Sequence, residues 1–417
     1  PFFLLTGMDP IGAVIPITII GIATVFSYYY VFSKLFTKII GLIVAFLHAS
    51  LLTTINFDRW VVPSTLTNIW LVWYFYTIIM LARGNYFVLP LLGLLVGLVW
   101  HIHIALAPTI VLVPVALFLA KKMPSVKQTL MTFFVFLVPS IPLIAFEVRH
   151  GFSQTISLVN NIAINQGGGT GFEKLQILLI KGTDNIMRLF FYPHDFSIIN
   201  KYLLVLIILA SAVLLVKKNI ISKKELFIFY AWILVNILFY SISSVVFSEY
   251  YFANIEIIFI FLVSSCLYLL YKSSKLGKLI TLSLLLCILI SSAVNIKHLY
   301  IFRKGYVERK AAAMFITQNS REKGFPCVSI SYITSPGENV GFRYFFWLNN
   351  LNVTKVQKDS VTYSIVNPPE FAQGKQEKYF GQIKIIIPEE IPTKEQIQRS
   401  CIGGNINLTG DMFGFTK

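Results

Sequence analysis

YFVLPLLGLLVGLVWHIHIALAPTIVLVPVALFLA, from Tyr86 to Ala120, is an apolar tract of 35 residues, and its reading sets the architecture of the chain. As one α-helix rising 1.5 Å per residue it would run about 52 Å, nearly twice the roughly 30 Å hydrocarbon core of a bilayer. A crossing needs about 20 mostly apolar residues. The tract therefore reads as two short crossings, 86–101 and 104–120, turning at His101-Ile-His103. The same rule carried outward predicts crossings at 10–32, 39–57, 65–82, 128–147, 202–216, 226–247, 251–271 and 279–295, ten in all.

Composition agrees with a membrane chain. Of 417 residues, 56% are hydrophobic and 13% charged, where a soluble domain carries about 25% charge; a single soluble globule is excluded. The net charge of +16 raises nucleic acid as a partner. Its distribution argues against that: residues 1–295 hold 19 basic and 9 acidic side chains, and 296–417 hold 16 and 10, so the larger excess sits in the apolar part. Lys34 and Lys38, Arg83, Lys121 with Lys122 and Lys127, Lys217 with Lys218, Lys223 and Lys224, and Lys272 with Lys275 and Lys278 fall on alternate loops. Cytoplasmic loops collect such charge. The other side carries Arg59, Arg149, Lys174, Lys181, Arg188 and Lys201, most of them on one long segment. This orientation makes the chain a multi-pass cell-membrane protein, with residues 1–9 and everything after Asn295 outside the cytoplasm. A chain that starts outside needs a preceding crossing, so a further helix and a first external loop are expected upstream of Pro1.

The expected fold class is mainly α: a polytopic bundle of about ten transmembrane helices over 1–295, with interfacial helices in an external loop at 148–201, and a small external α/β domain over 296–417. In the loop, Phe152–Asn165 and Phe172–Phe191 mix apolar and polar residues, as helices lying in the membrane interface do. Between them Gln166-Gly-Gly-Gly-Thr-Gly171 reads as a hinge, since it lacks the Lys-Ser/Thr ending of a phosphate loop. In the C-terminal part a helix is expected at Val307–Asn319 and strands at Cys327–Ile333, Arg343–Leu348, Val361–Val366 and Ile383–Ile387. Cys266 and Cys287 lie in apolar runs, so Cys327 and Cys401 are the pair able to bridge.

Ionisable groups at span ends and in external loops carry the functional signal, because their desolvation must be compensated. Five groups fall at one membrane face: Asp58-Arg59-Trp60, His101-Ile-His103, Glu147-Val-Arg149-His150, His194-Asp195 and Glu249-Tyr250-Tyr251. Asp58 and Arg59 suit a carboxylate and a guanidinium facing a phosphate-bearing ligand; the alternative is an interfacial anchor with Trp60 in the aromatic belt. His101 and His103 suit a hydrogen-bonded pair lining an external cavity, with no spacing that completes a metal site. Glu147, Arg149 and His150 suit either a pyrophosphate or acceptor site or a solvated helix end.

With these residues in view, the chain resembles the C-type integral-membrane glycosyltransferases, specifically the family 39-like bacterial relatives of protein O-mannosyltransferases and lipid A aminoarabinose transferases. The resemblance rests on Ala45–Trp70, where Arg59-Trp-Val-Val-Pro63 follows a span, on the Gly93–Pro108 hairpin with its His pair, and on Pro142-Leu-Ile-Ala-Phe-Glu-Val-Arg-His-Gly-Phe152. It implies transfer of a sugar from a polyprenyl-phosphate donor to a glycan, lipid or protein acceptor hydroxyl at the external membrane face, with inversion. By position, Asp58 is then the candidate catalytic carboxylate, Arg59 and Arg149 the donor-phosphate contacts, and His101, His103, Glu147 and His150 the cavity lining. The family's main acid lies in its first external loop, upstream of Pro1, and Ser64 stands where relatives often carry a second acid. No cofactor is expected beyond the lipid-linked substrate, a divalent metal stays open, and membrane lipid is a partner while nucleic acid is not. Two other classes remain alternatives: a transporter or flippase of lipid-linked sugars, and a membrane protein whose external domain binds a partner.

Overall fold

The computed structural model describes residues 2–121, 123–163, 169–192, 197–299, 304–402 and 405–406. The chain forms two compact units, one spanning Pro10–Ile296 and the other combining Phe3–Asp9 with Lys297–Lys417. Phe3–Asp9, assigned from sequence to the membrane part, thus belongs with the C-terminal residues.

The first unit is helical. After α1 (Phe2–Leu5), whose residues from Phe3 on fall in the second unit, come α2 (Val14–Leu35), α3 (Lys38–Ser50), α4 (Leu52–Asp58), α5 (Thr67–Ala82), α6 (Leu89–Ile102), α7 (Leu112–Ala120) and α8 (Val126–Arg149). Then follow α9 (Ser153–Ala163), α10 (Gly171–Phe191), α11 (Ile198–Lys217), α12 (Lys223–Ile242), α13 (Ala253–Ser273) and α14 (Lys275–Leu299). Among the described residues seven helices are long and apolar enough to cross a membrane: Pro10–Leu35, Pro63–Ala82, Val126–Arg149, Ile198–Lys217, Lys223–Ile242, Ala253–Ser273 and Lys275–Ile296. The Tyr86–Ala120 tract is two shorter apolar helical stretches that part at His103. The crossing expected at 39–57 is not straight: α3 and α4 meet at 71°. Leu51 is extended there, and the Thr54 hydroxyl reaches the His48 and Leu51 carbonyl oxygens at 2.5 and 2.7 Å. Side-chain hydroxyls that take over freed backbone groups are what an apolar surrounding demands of a broken helix.

Sequence explains the helix ends and the closest packing. Ser125 with Gln128 and Ser222 with Glu225 form capping boxes that start α8 and α12. Gly93 and Gly97, four apart on α6, press against the α8 backbone. A Cβ at Gly97 would lie 2.6 Å from the Phe136 carbonyl oxygen, and one at Gly93 would overlap that of Thr132. Paired small residues permit such approach where helices share no hydrophobic drive. The interior is aromatic, with Phe32, Phe75, Phe229 and Phe261 packed ring to ring, and two of its polar tips find backbone acceptors: Trp70 Nε1 donates to the Leu95 carbonyl at 2.6 Å and the Tyr74 hydroxyl to that of Thr109 at 2.7 Å.

α10, expected as an interfacial helix, packs on α11 and α12. Its buried Lys174 donates to the carbonyl oxygens of Ser243 and Val245, just past the C-terminal end of α12. A cation at a helix C-terminus meets the negative end of the dipole. Burial draws the Lys174 ammonium below the ordinary lysine range.

The second unit holds α15 (Tyr306–Glu322), β1 (Val328–Thr334), α16 (Phe342–Leu348), β2 (Val353–Thr354), β3 (Thr362–Asn367), β4 (Glu377–Phe380), β5 (Ile383–Ile386) and α17 (Lys394–Ser400). Its sheet runs β2-β1-β3-β5-β4, parallel across β2-β1-β3 and antiparallel beyond. The strand expected at Arg343–Leu348 is the helix α16. Its aromatic content suggests a strand, but Phe342, Phe345 and Phe346 join the hydrophobic core of this unit and Arg343 beside them is buried too, a spacing that belongs to a helix. Cys327 and Cys401 form a disulfide. Asp9 accepts from the Tyr306 hydroxyl at 2.5 Å and pairs with Lys310 at 2.6 Å, which ties Phe3–Asp9 to this unit. Of the two Asn-x-Thr triplets, Asn352-Val-Thr runs into β2 with Thr354 buried, and the one at Asn407 lies outside the described residues.

Candidate functional site

The break between α3 and α4 folds the chain back so that Asp58, the last residue of α4, meets α3 again. Asp58 Oδ2 lies 3.0 Å from His48 Nε2, and Oδ1 accepts from Asn68 Nδ2 of α5 at 2.6 Å. A carboxylate only accepts, so the imidazole donates through Nε2. The Tyr28 ring of α2 stacks on His48 with centroids 4.1 Å apart and planes 12° apart. His48 is 1% exposed, and its Nδ1 has no hydrogen-bond partner among the described residues. Glu256 of α13 is buried close enough to interact electrostatically with Asp58 and Tyr28. Two carboxylates, an imidazole, an amide and a phenol thus gather where α2, α3, α4, α5 and α13 converge. Burying such groups in an apolar bundle is costly unless they pair or act.

Two spaces of opposite character open beside α4. A groove of about 450 Å³ is lined by Leu51, Leu52, Phe191, Leu267, Cys287 and Ser292, and is overwhelmingly apolar. A small cavity of about 10 Å³ is lined by Phe57, Ser64, Thr67, His103, Tyr251 and Asn254. The groove touches the start of α4, and the cavity touches the residue next to Asp58.

The residues singled out from sequence separate into two places. Asp58 and His103 belong to the α4 region. His103 caps the 3-10 turn Ile104–Val111, its Nδ1 accepting the Ala105 N–H at 3.0 Å, and its ring lies 5.5 Å from that of Tyr251. Arg59 caps the C-terminal end of α4 with an exposed side chain. His101 is exposed and its Nε2 lies 2.7 Å from the Pro139 carbonyl oxygen of α8. Glu147, Arg149 and His150 form the corner between α8 and α9. Glu147 is buried and accepts the N–H groups of Gln154 and Thr155 at 3.2 and 2.9 Å, so it serves the start of α9. His150 stacks on Phe146 with Nδ1 2.8 Å from the Phe146 carbonyl oxygen, and Arg149 is exposed. His194, Asp195 and residues 166–168 of the glycine run lie outside the described residues, as do the side chains of Glu249 and Tyr250.

Neither protein-family models, nor curated proteins, nor solved structures yielded a match to this chain. The reading rests on the site. Four of its groups were missed from sequence: Tyr28, His48, Asn68 and Glu256. Glu256 carried a usable signal as the sole charged residue between Ala253 and Tyr271. His48 carried none, since its partner depends on the bend at Leu51. No cluster of three or more His, Cys, Asp or Glu side chains able to hold a metal occurs among the described residues.

Proposed function

We propose that the chain is a membrane glycosyltransferase that moves a sugar from a polyprenyl-phosphate donor to an acceptor hydroxyl at the external face. The observation that carries this reading is the position of α4, which has a lipid-sized apolar groove at its start and the His48–Asp58–Asn68 cluster at its end. A ligand with a long apolar tail and a polar, reactive head needs that juxtaposition. Asp58 takes the acceptor proton as general base, and His48 and Asn68 hold its two oxygens in register. The polyprenyl chain lies in the groove, and Arg59, which follows Asp58 at the end of α4, neutralises the departing phosphate. The Cys327–Cys401 disulfide supports an oxidising, external location for the C-terminal unit. The alternating basic loops support the same orientation.

A second reading has its own observation. A helix broken amid buried ionisable groups, as α3 and α4 are around His48, Asp58 and Glu256, is also how transporters build substrate sites. Reconstituted protein supplied with polyprenyl-phosphate hexose and a panel of acceptors separates the two. Sugar transfer supports the enzyme. Movement of the lipid between leaflets without transfer defeats it and favours the flippase.

A further inference from the structure

We infer that Asn254 reads one hydroxyl of the substrate's sugar headgroup, with Thr67 on the wall of the same cavity; this rests on the lipid-linked-sugar reading above. Asn254 is 2% exposed. Its orientation is forced by a chain of hydrogen bonds: Asn236 Nδ2 donates to the Trp232 carbonyl at 2.8 Å, so Asn236 Oδ1 is an acceptor and takes Asn254 Nδ2 at 2.6 Å. That leaves Asn254 Oδ1 as a buried acceptor that no described residue satisfies.

Asn254 lines the cavity of about 10 Å³ shared with Phe57, Thr67, His103 and Tyr251, room for about one water-sized group. Phe57 precedes Asp58, and Thr67 precedes Asn68, which holds Asp58. Asn254, with its unpaired acceptor, therefore lines a space whose walls also include the sequence neighbours of Asp58 and of Asn68. An orphaned buried carbonyl is destabilising, so the space calls for an O–H donor. Two sources share that chemistry, a substrate hydroxyl and a resident water. A hydroxyl delivered by the headgroup would make this cavity a selectivity device, because a site built around a hydrogen bond rejects ligands that leave it unmade.

The test measures binding of two probes, a polyprenyl phosphate bearing hexose and the bare polyprenyl phosphate, to the full chain in lipid nanodiscs. The wild type should prefer the sugar-bearing lipid. Asn254→Ala should lose about 5- to 100-fold of affinity for it while holding the bare lipid as before. Thr67→Val, which keeps shape and removes a hydroxyl, should lose preference in the same direction, and unchanged melting temperatures show that both variants fold. Equal weakening toward both probes, or a wild type that binds both lipids without preference, assigns the cavity to resident water and overturns the inference while leaving the lipid-linked reading standing. Failure of the wild type to bind either lipid removes that reading and the inference with it.

Discussion

His48 Nε2 and Asp58 Oδ2 are 3.0 Å apart although ten residues separate them; in an unbroken helix they would stand about 15 Å apart along the axis. The 71° bend at Leu51 closes that gap and turns two residues of one apolar run into a pair. Because the pair is shielded, each partner depends on the other. Removing one partner of a buried pair leaves the other uncompensated, at about 3–5 kcal/mol. His48→Ala should accordingly lower the melting temperature. Asp58→Asn keeps the shape and the Asn68 neighbour but removes the base. Its expected signature in a transfer assay is a loss of about 10²–10⁴-fold in rate with donor binding retained. Full activity in Asp58→Asn would refute the role given to Asp58.

The α6–α8 contact predicts a steric phenotype. Gly97 faces the Phe136 carbonyl oxygen and Pro139, with no room for a side chain. Gly97→Leu should cost at least about 1–3 kcal/mol by overpacking, and Gly97→Ala less. Thermal melts in detergent check the order; a Gly97→Leu protein as stable as wild type would mean the helices do not approach as described.

The disulfide predicts a redox-dependent C-terminal unit. Cys327 and Cys401 are 74 residues apart in sequence, and closing a loop of that size is worth on the order of 4 kcal/mol. Reductant, or paired Cys327→Ser and Cys401→Ser substitution, should destabilise the unit and expose it to protease. Trypsin fragments compared with and without reductant provide the readout, and identical patterns would count against the bridge.

Acid should act on the same unit through Glu377. The Tyr379 hydroxyl, the Gly374 N–H and the Lys384 ammonium hold its carboxylate, pulling it down to about 2. An unfolded Glu titrates near about 4.3, so the folded state is the weaker proton binder. The stabilisation is therefore complete above about pH 4.3 and is lost as pH falls through about 2. Glu377→Gln abolishes this contribution and should flatten the fall in melting temperature over that window. A variant whose acid profile overlays the wild type would refute the assignment.

Much of the membrane unit was legible residue by residue, because hydropathy and helix length are local properties. Runs such as Ile198–Lys217 and Lys275–Ile296 must be helical if they meet lipid, whatever surrounds them. The strands at Val328–Thr334, Thr362–Asn367 and Ile383–Ile386 announced themselves by β-branched, buried residues. Phe342–Leu348 did not, since seven residues of which five are aromatic satisfy either period until a sheet selects one face. The candidate site was visible only at its edge. Asp58 stood out as an acid ending an apolar run, and His103 as a polar residue at a turn. Glu147 stood out equally, yet its carboxylate caps α9.

Local chemistry was enough to specify that this chain is mostly apolar helix, where most of those helices begin and end, and which two cysteines were free to bridge. Placing His48 on Asp58, Asn68 on its other oxygen, Glu256 alongside and Asn254 beside a neighbouring cavity required the fold. Each of those contacts joins residues on different helices across the bend at Leu51 or between packed helices, and the angle at a break and the seating of one helix on another are set by the whole bundle.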